Sequence, residues 1–324
     1  MNIKRIKRYI NFHISKLQIY KYFVIINLFI FHFNERVHKK SFGEKNKDLV
    51  FYVIRPRGIT EGILSCYLNV IQEVKYARDH NYIPVVDYQN YENQYRMSKS
   101  NKEYINSWEL FFEQVSNYTL NEVYQSKNVI LSGWSIKKCL QVKVNFSFED
   151  QIKFYKELDV DISLKRELLE KANYIEKKYI NDKTLGLFIR GTDYVALKPK
   201  GHYIQPTVEM LLSKVKEYIQ EFQIDNIFLI TEDKEIENKI KKSLNVSINV
   251  LSNNICDKYD GKDYLSSYFS KSEVIENAEN YILRVILLAR CKYLISSITS
   301  ATLFMLSFEN CMFQKSYFFD LGKY

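Results

Sequence analysis

The sequence predicts an α/β protein of two lobes, each built on a parallel sheet. Three observations carry the prediction. Short apolar runs alternate with longer segments of helical period along most of the chain. At 324 residues the chain is long enough for two cores. Gly and Pro are scarce, 9 and 4, so linkers and low-complexity sequence have little room.

In the first lobe, residues 49–54 (LVFYVI) read as a buried strand. A loop with Arg55, Arg57, Gly58 and Gly62 follows. Leu64, Leu68, Ile71 and Val74 make one side of a helix over about 63–80. Residues 83–86 are the next strand, and Asp87 marks its carboxyl end. Strand, loop, helix and strand in this order imply parallel pairing through a crossover. Residues 129–131 add a short strand. The polar, Tyr-rich stretch of about 88–107 is expected to be a lid or an acceptor loop. Residues of about 150–181, rich in Lys and Glu, are expected to be helical and to bridge the lobes.

The second lobe repeats the alternation without repeating the sequence. Strands are expected over 185–189, 227–230, 246–251 and 293–295. Helices are expected over about 206–222, 234–243, 280–289 and 299–308, with Pro206 in the first turn of the first of them. Such alternation makes a doubly wound sheet. The boundaries that follow are 1–47 for an N-terminal segment, 48–165 for the first lobe and 166–324 for the second.

Charge separates the N-terminal segment from the rest. Of 47 basic and 38 acidic residues, eleven and two lie in residues 1–47, which leaves 36 of each sign in 48–324. A neutral body lacks the broad basic surface that a nucleic-acid backbone requires, so no nucleic-acid partner is expected. Ile3, Ile6, Ile10, Ile14 and Leu17 recur at helical spacing among Lys4, Arg5, Lys7 and Arg8. That pattern suits an anionic membrane surface. The apolar run at 22–33 would be a helix of roughly 18 Å, short of a hydrocarbon core of about 30 Å. Residues 1–35 are therefore expected to touch the cytoplasmic face of a membrane peripherally, or else to form a disordered leader. The five cysteines are widely spaced and include no C-x-x-C, so buried free thiols in a reducing compartment are expected, with no zinc site. The acidic pair Asp159 and Asp161 is read as helix capping rather than as a metal ligand.

Ligands of open parallel sheets bind outside the carboxyl ends of the strands. Three polar clusters fall there. Arg190, Gly191, Thr192 and Asp193 follow one strand, Thr231, Glu232 and Asp233 the next, and Ser296, Ser297, Thr299 and Ser300 the last. An arginine leaving a buried strand is a two-pronged donor for phosphate oxygens. Gly191 permits close approach of a ligand. A Ser/Thr-rich turn opening a helix offers hydroxyls and free N–H groups to a phosphate. Carboxylates after the middle strand suit a base or a ribose. The plainer readings are that Asp193 pairs with Arg190, that Thr299 caps its helix, and that Glu232 and Asp233 merely start one.

At these residues the chain resembles the fucosyltransferase superfamily. Residues 188–193 (FIRGTD) are similar to its arginine motif H-x-R-R-x-D, residues 228–233 (FLITED) to F-L-A-T-D-D, and residues 291–300 (CKYLISSITS) to C-D-x-x-V-x-T-x-S-S, in family order. Gly58 to Gly62 and residues 83–87 (IPVVD) resemble its first Gly-rich turn and following strand. The resemblance implies a GT-B-like fold of two Rossmann-like lobes with a cleft between them, the first lobe on the acceptor side. It implies a GDP-sugar donor, GDP-fucose, with no other cofactor and no metal, and inverting transfer to a glycan; the basic, apolar N-terminus suggests a surface polysaccharide or a lipid-linked oligosaccharide as that acceptor. Arg190 would stabilise the leaving diphosphate, and His202 matches a histidine that follows the motif in some relatives. The family's second arginine is Gly191 here, and its histidine is Phe188. These departures leave open a different nucleotide sugar, or a non-catalytic binding or scaffold protein on the same fold.

Overall fold

The computed structural model describes residues 37–324, apart from 59, 101–102, 134–145, 252–258, 309–310 and 312. The amphipathic and apolar pattern of residues 1–35 lies outside the described residues, as do Cys139 and Cys256. No helix among the described residues is long and apolar enough to cross a membrane.

The first sheet comprises β1 (His38–Lys40), β2 (Phe51–Ile54), β3 (Ile83–Val86) and, after a short ribbon of β4 (Ser98–Ser100) and β5 (Glu103–Tyr104), β6 (Val129–Leu131). Its order is β1-β6-β2-β3, parallel except for β1. Helix α1 (Ile63–Asp79) carries the chain from β2 to β3, and α2 (Leu120–Val123) leads into β6. β1 falls within residues 1–47, so this sheet reaches back past the expected boundary at 48.

Two helices, α3 (Phe148–Glu157) and α4 (Arg166–Tyr179), lead to the second sheet. Its strands are β7 (Thr184–Phe188), β8 (Asn226–Ile230), β9 (Ser247–Asn249), β10 (Tyr293–Ser297) and β11 (Lys315–Phe319). The order is β11-β10-β7-β8-β9, parallel throughout. Helices α5 (Thr192–Leu197), α6 (Val208–Phe222), α7 (Lys234–Ser243), α8 (Lys271–Ala289) and α9 (Ser300–Phe308) connect them. The α/β class and the two parallel lobes are as the sequence predicts.

Strand alternation decides what each face packs against. Phe51 and Val53 point to one small core, and Tyr52 and Ile54 to another. In the second sheet Leu185, Leu187 and Ile189 face α6 and α7, whereas Phe188 and Phe228 face the other way. The layer that holds Tyr52 and Ile54 is the same layer that holds Phe188 and Phe228. Helices α1, α8 and α9 fill it, so the two lobes share one core. Tyr67 of α1 meets Phe304 of α9 edge to face, with ring centroids 4.8 Å apart. Gly186 lets α8 lie against β7, since a Cβ there would stand 3.0 Å from Leu288.

Several boundaries differ from expectation. α8 begins at Lys271 rather than near 280, because Ser270 and Glu273 form a capping box ahead of it. α6 starts after Thr207, whose side chain caps Met210 N–H, and Pro206 precedes that cap. β10 runs through Ser297, which places both serines in the strand rather than in the following turn. β9 is only three residues, and β11 was not anticipated. The 88–107 stretch is no loose lid. Asn106 donates to Val86 O at 2.8 Å and accepts from Tyr88 N–H at 2.9 Å, and Tyr88, Asn93, Tyr95 and Ser107 are buried. The two aspartates of the 159–161 pair cap nothing at α4, whose cap is Lys165. Asp159 instead follows α3 in the left-handed region, at φ 49°.

Candidate functional site

A cavity of about 420 Å³ opens between the lobes at the carboxyl ends of β7 and β8. That size falls in the range of small-molecule sites. The first lobe supplies Glu61, Gly62 and the start of α1, with Gln94 and Tyr95 from the loop after β3. Gln94 and Tyr95 both donate to the Glu61 carbonyl, at 2.6 and 3.3 Å, which fixes that loop against the α1 N-terminus. The second lobe supplies Arg190, Asp193, Thr231, Glu232 and His202, the N-terminus of α9 at Thr299 and Ser300, and a face of α8.

Arg190 lies at the centre of a set of contacts. Its Nη2 donates to Asp193 Oδ1 at 2.7 Å, and its Nε lies 3.0 Å from Glu232 Oε1. The guanidinium stands over the Tyr194 ring, 4.7 Å from the centroid. Glu232 Oε1 also accepts Gly191 N–H at 2.9 Å and the Thr192 hydroxyl at 3.0 Å, so one oxygen ties the turn after β7 to the turn after β8. Asp193 Oδ2 accepts from Leu265 N–H at 3.1 Å. The side chains of Arg190, Asp193 and Glu232 are 13%, 7% and 7% exposed. Burial opposes the charge on Arg190, but Glu232, Tyr281 and Asp193 outweigh it and hold the guanidinium protonated well above its ordinary range. Burial pushes the Glu232 carboxyl above its usual value, against the pull of Arg190 and the Gly191 N–H. Burial also lowers His202, so its imidazole is neutral at pH 7.

Most of the expected residues meet here. Arg190, Asp193, Thr231, Glu232, Thr299, Ser300, Gly62 and His202 all line the cavity. Asp193 does pair with Arg190, and Thr299 does cap α9 by accepting Ala301 N–H at 3.1 Å. Five of the expected residues lie off the cavity lining. Asp233 is not a wall of the cavity: it caps α7, accepting from Glu235 and Ile236 N–H. Gly191 is closely approached by that cap: a Cβ would stand 2.6 Å from Asp233 Oδ2 and 2.7 Å from Asp233 Cβ. Any side chain at 191 would therefore need the start of α7 to move, which accounts for the missing second arginine. Thr192 holds Glu232 from behind, at φ 36°. Ser297 is fully buried and receives Arg190 N–H at 3.4 Å. Gly58 lies outside the lining.

Residues absent from the expectation come chiefly from α8. Val274, Asn277, Ala278, Tyr281 and Arg284 recur at helical spacing and all line the cavity. The available signal was an arginine inside the apolar run of residues 281–289. Among the described residues no group of His, Cys, Asp and Glu is arranged to hold a metal ion. Cys66 and Cys291 are buried free thiols, both raised by burial above the ordinary thiol range.

No protein-family model matches the chain, and no curated protein does. Solved structures of fucosyltransferases are similar to it. A NodZ α-1,6-fucosyltransferase soaked with GDP-fucose is 14% identical over 80% of this chain and 93% of its own, at a TM-score of 0.45. The NodZ fucosyltransferase from Bradyrhizobium is 14% identical over 79% and 92%, at 0.43. POFUT1 in complex with GDP-fucose is 7% identical over 86% of this chain and all of its own, at 0.49. A likeness of this size leaves the functional reading to this chain's own residues.

Proposed function

We propose that the chain is a metal-independent, inverting glycosyltransferase that moves a sugar from a nucleoside diphosphate, GDP-fucose being the donor its motifs imply, to a glycan acceptor. One observation carries the reading. Arg190, the Thr231–Glu232 turn and the N-terminus of α9 converge on a single cavity between two parallel sheets, at the strand ends where such folds bind ligands.

In the reaction the bond from sugar C1 to the β-phosphate oxygen breaks, and the acceptor oxygen bonds to C1. The diphosphate leaves with the electron pair. Arg190 stabilises the charge that grows on it. The hydroxyls of Thr299 and Ser300 at the start of α9 add donors. The acceptor's proton passes to Glu61 in this reading, the first lobe's carboxylate on the cavity, whose Oε1 accepts from Ser65 and Asn69. Arg190 is already balanced by Asp193 and Glu232, so the diphosphate shares it or displaces one of them. That balance also favours a second reading, a protein that binds a nucleotide sugar without turning it over.

Donor hydrolysis separates the two. A transferase slowly releases free sugar from its nucleotide sugar in the absence of acceptor, and Arg190→Ala abolishes the release. Binding with no released sugar under any condition supports the second reading. A thermal-shift panel of nucleotides identifies the base, since a ligand specific to the native state raises Tm. We place the acceptor at the cytoplasmic face of a membrane, on the charge and spacing of residues 1–35. Removing residues 1–36 is expected to shift the protein from the membrane to the soluble fraction, and an unchanged distribution contradicts that placement.

A further inference from the structure

We propose that Asn69 is the positioning residue of Glu61: braced by Arg57, it holds one carboxylate oxygen and leaves the other to take the acceptor's proton. The inference rests on the glycosyltransferase reading and adds the residues that aim its base.

A chain of side chains runs from Arg57 to the cavity. Arg57 Nη1 donates to Asn69 Oδ1, and Asn69 Nδ2 donates to Glu61 Oε1 at 2.5 Å. The Ser65 hydroxyl donates to the same Oε1 at 2.9 Å. Glu61 and Ser65 line the cavity, whereas Asn69 and Arg57 lie off it. Ser65 and Asn69 are one turn apart on α1, and Glu61 stands four residues before Ser65, so the start of the helix gathers all three on one side.

The partners of an amide decide which way it faces. A guanidinium only donates and a carboxylate only accepts. With Arg57 at one end and Glu61 at the other, Asn69 has one satisfied orientation. It is buried, so a turned amide would lose both bonds without water to replace them.

The carboxylate is thereby divided. Oε1 takes two donors. Among the described residues, Oε2 is left with the Cys66 thiol, a weak donor 4.0 Å away. The Glu61 main chain is held as well, through the carbonyl that Gln94 and Tyr95 share. Cys66 of α1, Tyr88 and Tyr95 of the loop after β3 and Tyr155 of α3 all feel the Glu61 charge, and burial raises each of them, so they are neutral at pH 7. Arg57 brings positive charge to this side and acts on Cys66 and Tyr155 too. Arg190, Asp193, Glu232 and His202 line the second lobe's side. In the transfer the acceptor O–H gives its proton to Oε2 as its oxygen bonds to sugar C1, and the diphosphate leaves with the electron pair of the broken bond. Asn69 acts on that step through Glu61.

The test is release of GDP from GDP-fucose with water as acceptor, followed against pH for the full chain as wild type, Glu61→Gln, Asn69→Ala, Asn69→Asp, Arg57→Met and Arg57→Lys. Circular dichroism and Tm confirm folding, and Asn69→Asp keeps the size and the Arg57 contact should the alanine variant fail to fold. Asn69→Ala is expected to lower kcat about tenfold with KM for GDP-fucose unchanged. It is also expected to move the acid limb of the profile up by roughly one unit, because a carboxylate that loses a donor holds its proton more tightly. Asn69→Asp sets a like charge against Glu61 and should move the limb further the same way. Arg57→Met should follow Asn69→Ala, and Arg57→Lys should recover part of the loss. An acid limb that stays in place in the folded Asn69 variants overturns the inference, whether or not kcat falls. If the wild type releases no GDP, the transferase reading fails and takes the inference with it. If Glu61→Gln turns over like the wild type, the base itself is wrong. If Glu61→Gln loses release and the Asn69 variants do not, only the present inference fails.

Discussion

Arg55 and Arg190 occupy matching places in the two sheets, and their fates differ. Each follows an apolar strand at its carboxyl end. Each gives its backbone N–H to a serine on the neighbouring strand's end, Arg55 to Ser132 at 2.9 Å and Arg190 to Ser297 at 3.4 Å. There the likeness stops. The Arg55 guanidinium turns to the Ser132 carbonyl, with Nε at 2.8 Å and Nη2 on the same oxygen, and lies over the Tyr91 ring. It joins β2 to the end of β6. The Arg190 guanidinium pairs instead with two carboxylates that line the cavity with it. An arginine ending a buried strand is therefore not a site by itself. What surrounds the guanidinium decides whether it stitches strands or meets a ligand.

Four substitutions break or sharpen this contrast. Arg190→Ala should have the largest effect, a loss on the order of 10²–10³ in donor hydrolysis or transfer, together with a lower Tm because Asp193 and Glu232 lose the cation that balances them. A variant that keeps wild-type turnover would leave Arg190 with no more than Arg55's role. Arg55→Ala should spare turnover. It strands a buried carbonyl and should lower stability by about 1–3 kcal/mol in urea titration, while turnover stays within about twofold. Gly191→Ala comes next. It should cost about 1–3 kcal/mol through the clash with Asp233, and a companion Asp233→Gly should restore part of it. Independent, additive losses would mean that the close approach is not the cause.

The smallest effect concerns Glu232 and pH. Its folded pKa lies above the unfolded value, so the native state binds more protons between the two. Stability contributed here falls as pH rises through that window and is recovered on acidification. Relative to Glu232→Gln, the wild type should gain Tm as pH drops toward 4.5, the ordinary carboxyl value. A Tm difference that is flat with pH would show that Arg190 cancels the cost of burying the charge.

The second sheet was legible because each of its middle strands is a short apolar run that ends abruptly in polar residues. That pattern set Arg190, Thr231 and Thr299 on one rim before any geometry was known. Neighbours on such a turn were not separable. Glu232 and Asp233 are consecutive carboxylates, yet one enters the cavity and the other turns back to cap α7. The choice depends on how the backbone leaves the strand, which composition does not encode. Tyr281 and Arg284 were missed because they lie on a helix whose period fits burial equally well. The joint layer under both sheets was out of reach too, since the apolar faces of α1, α8 and α9 reveal that they are covered but not by what.

That joint layer makes the halves inseparable. A fragment carrying only the second sheet would bare Phe188, Phe228 and the inner sides of α8 and α9 to water, with Phe304 stripped of Tyr67. Such greasy surface invites clumping. Swapping one half for that of another protein of the same fold would have to carry the matching aromatic surface along with it. Any widening of the ligand entrance is accordingly expected from the segments that border it, such as residues 259–270, rather than from two rigid jaws swinging apart.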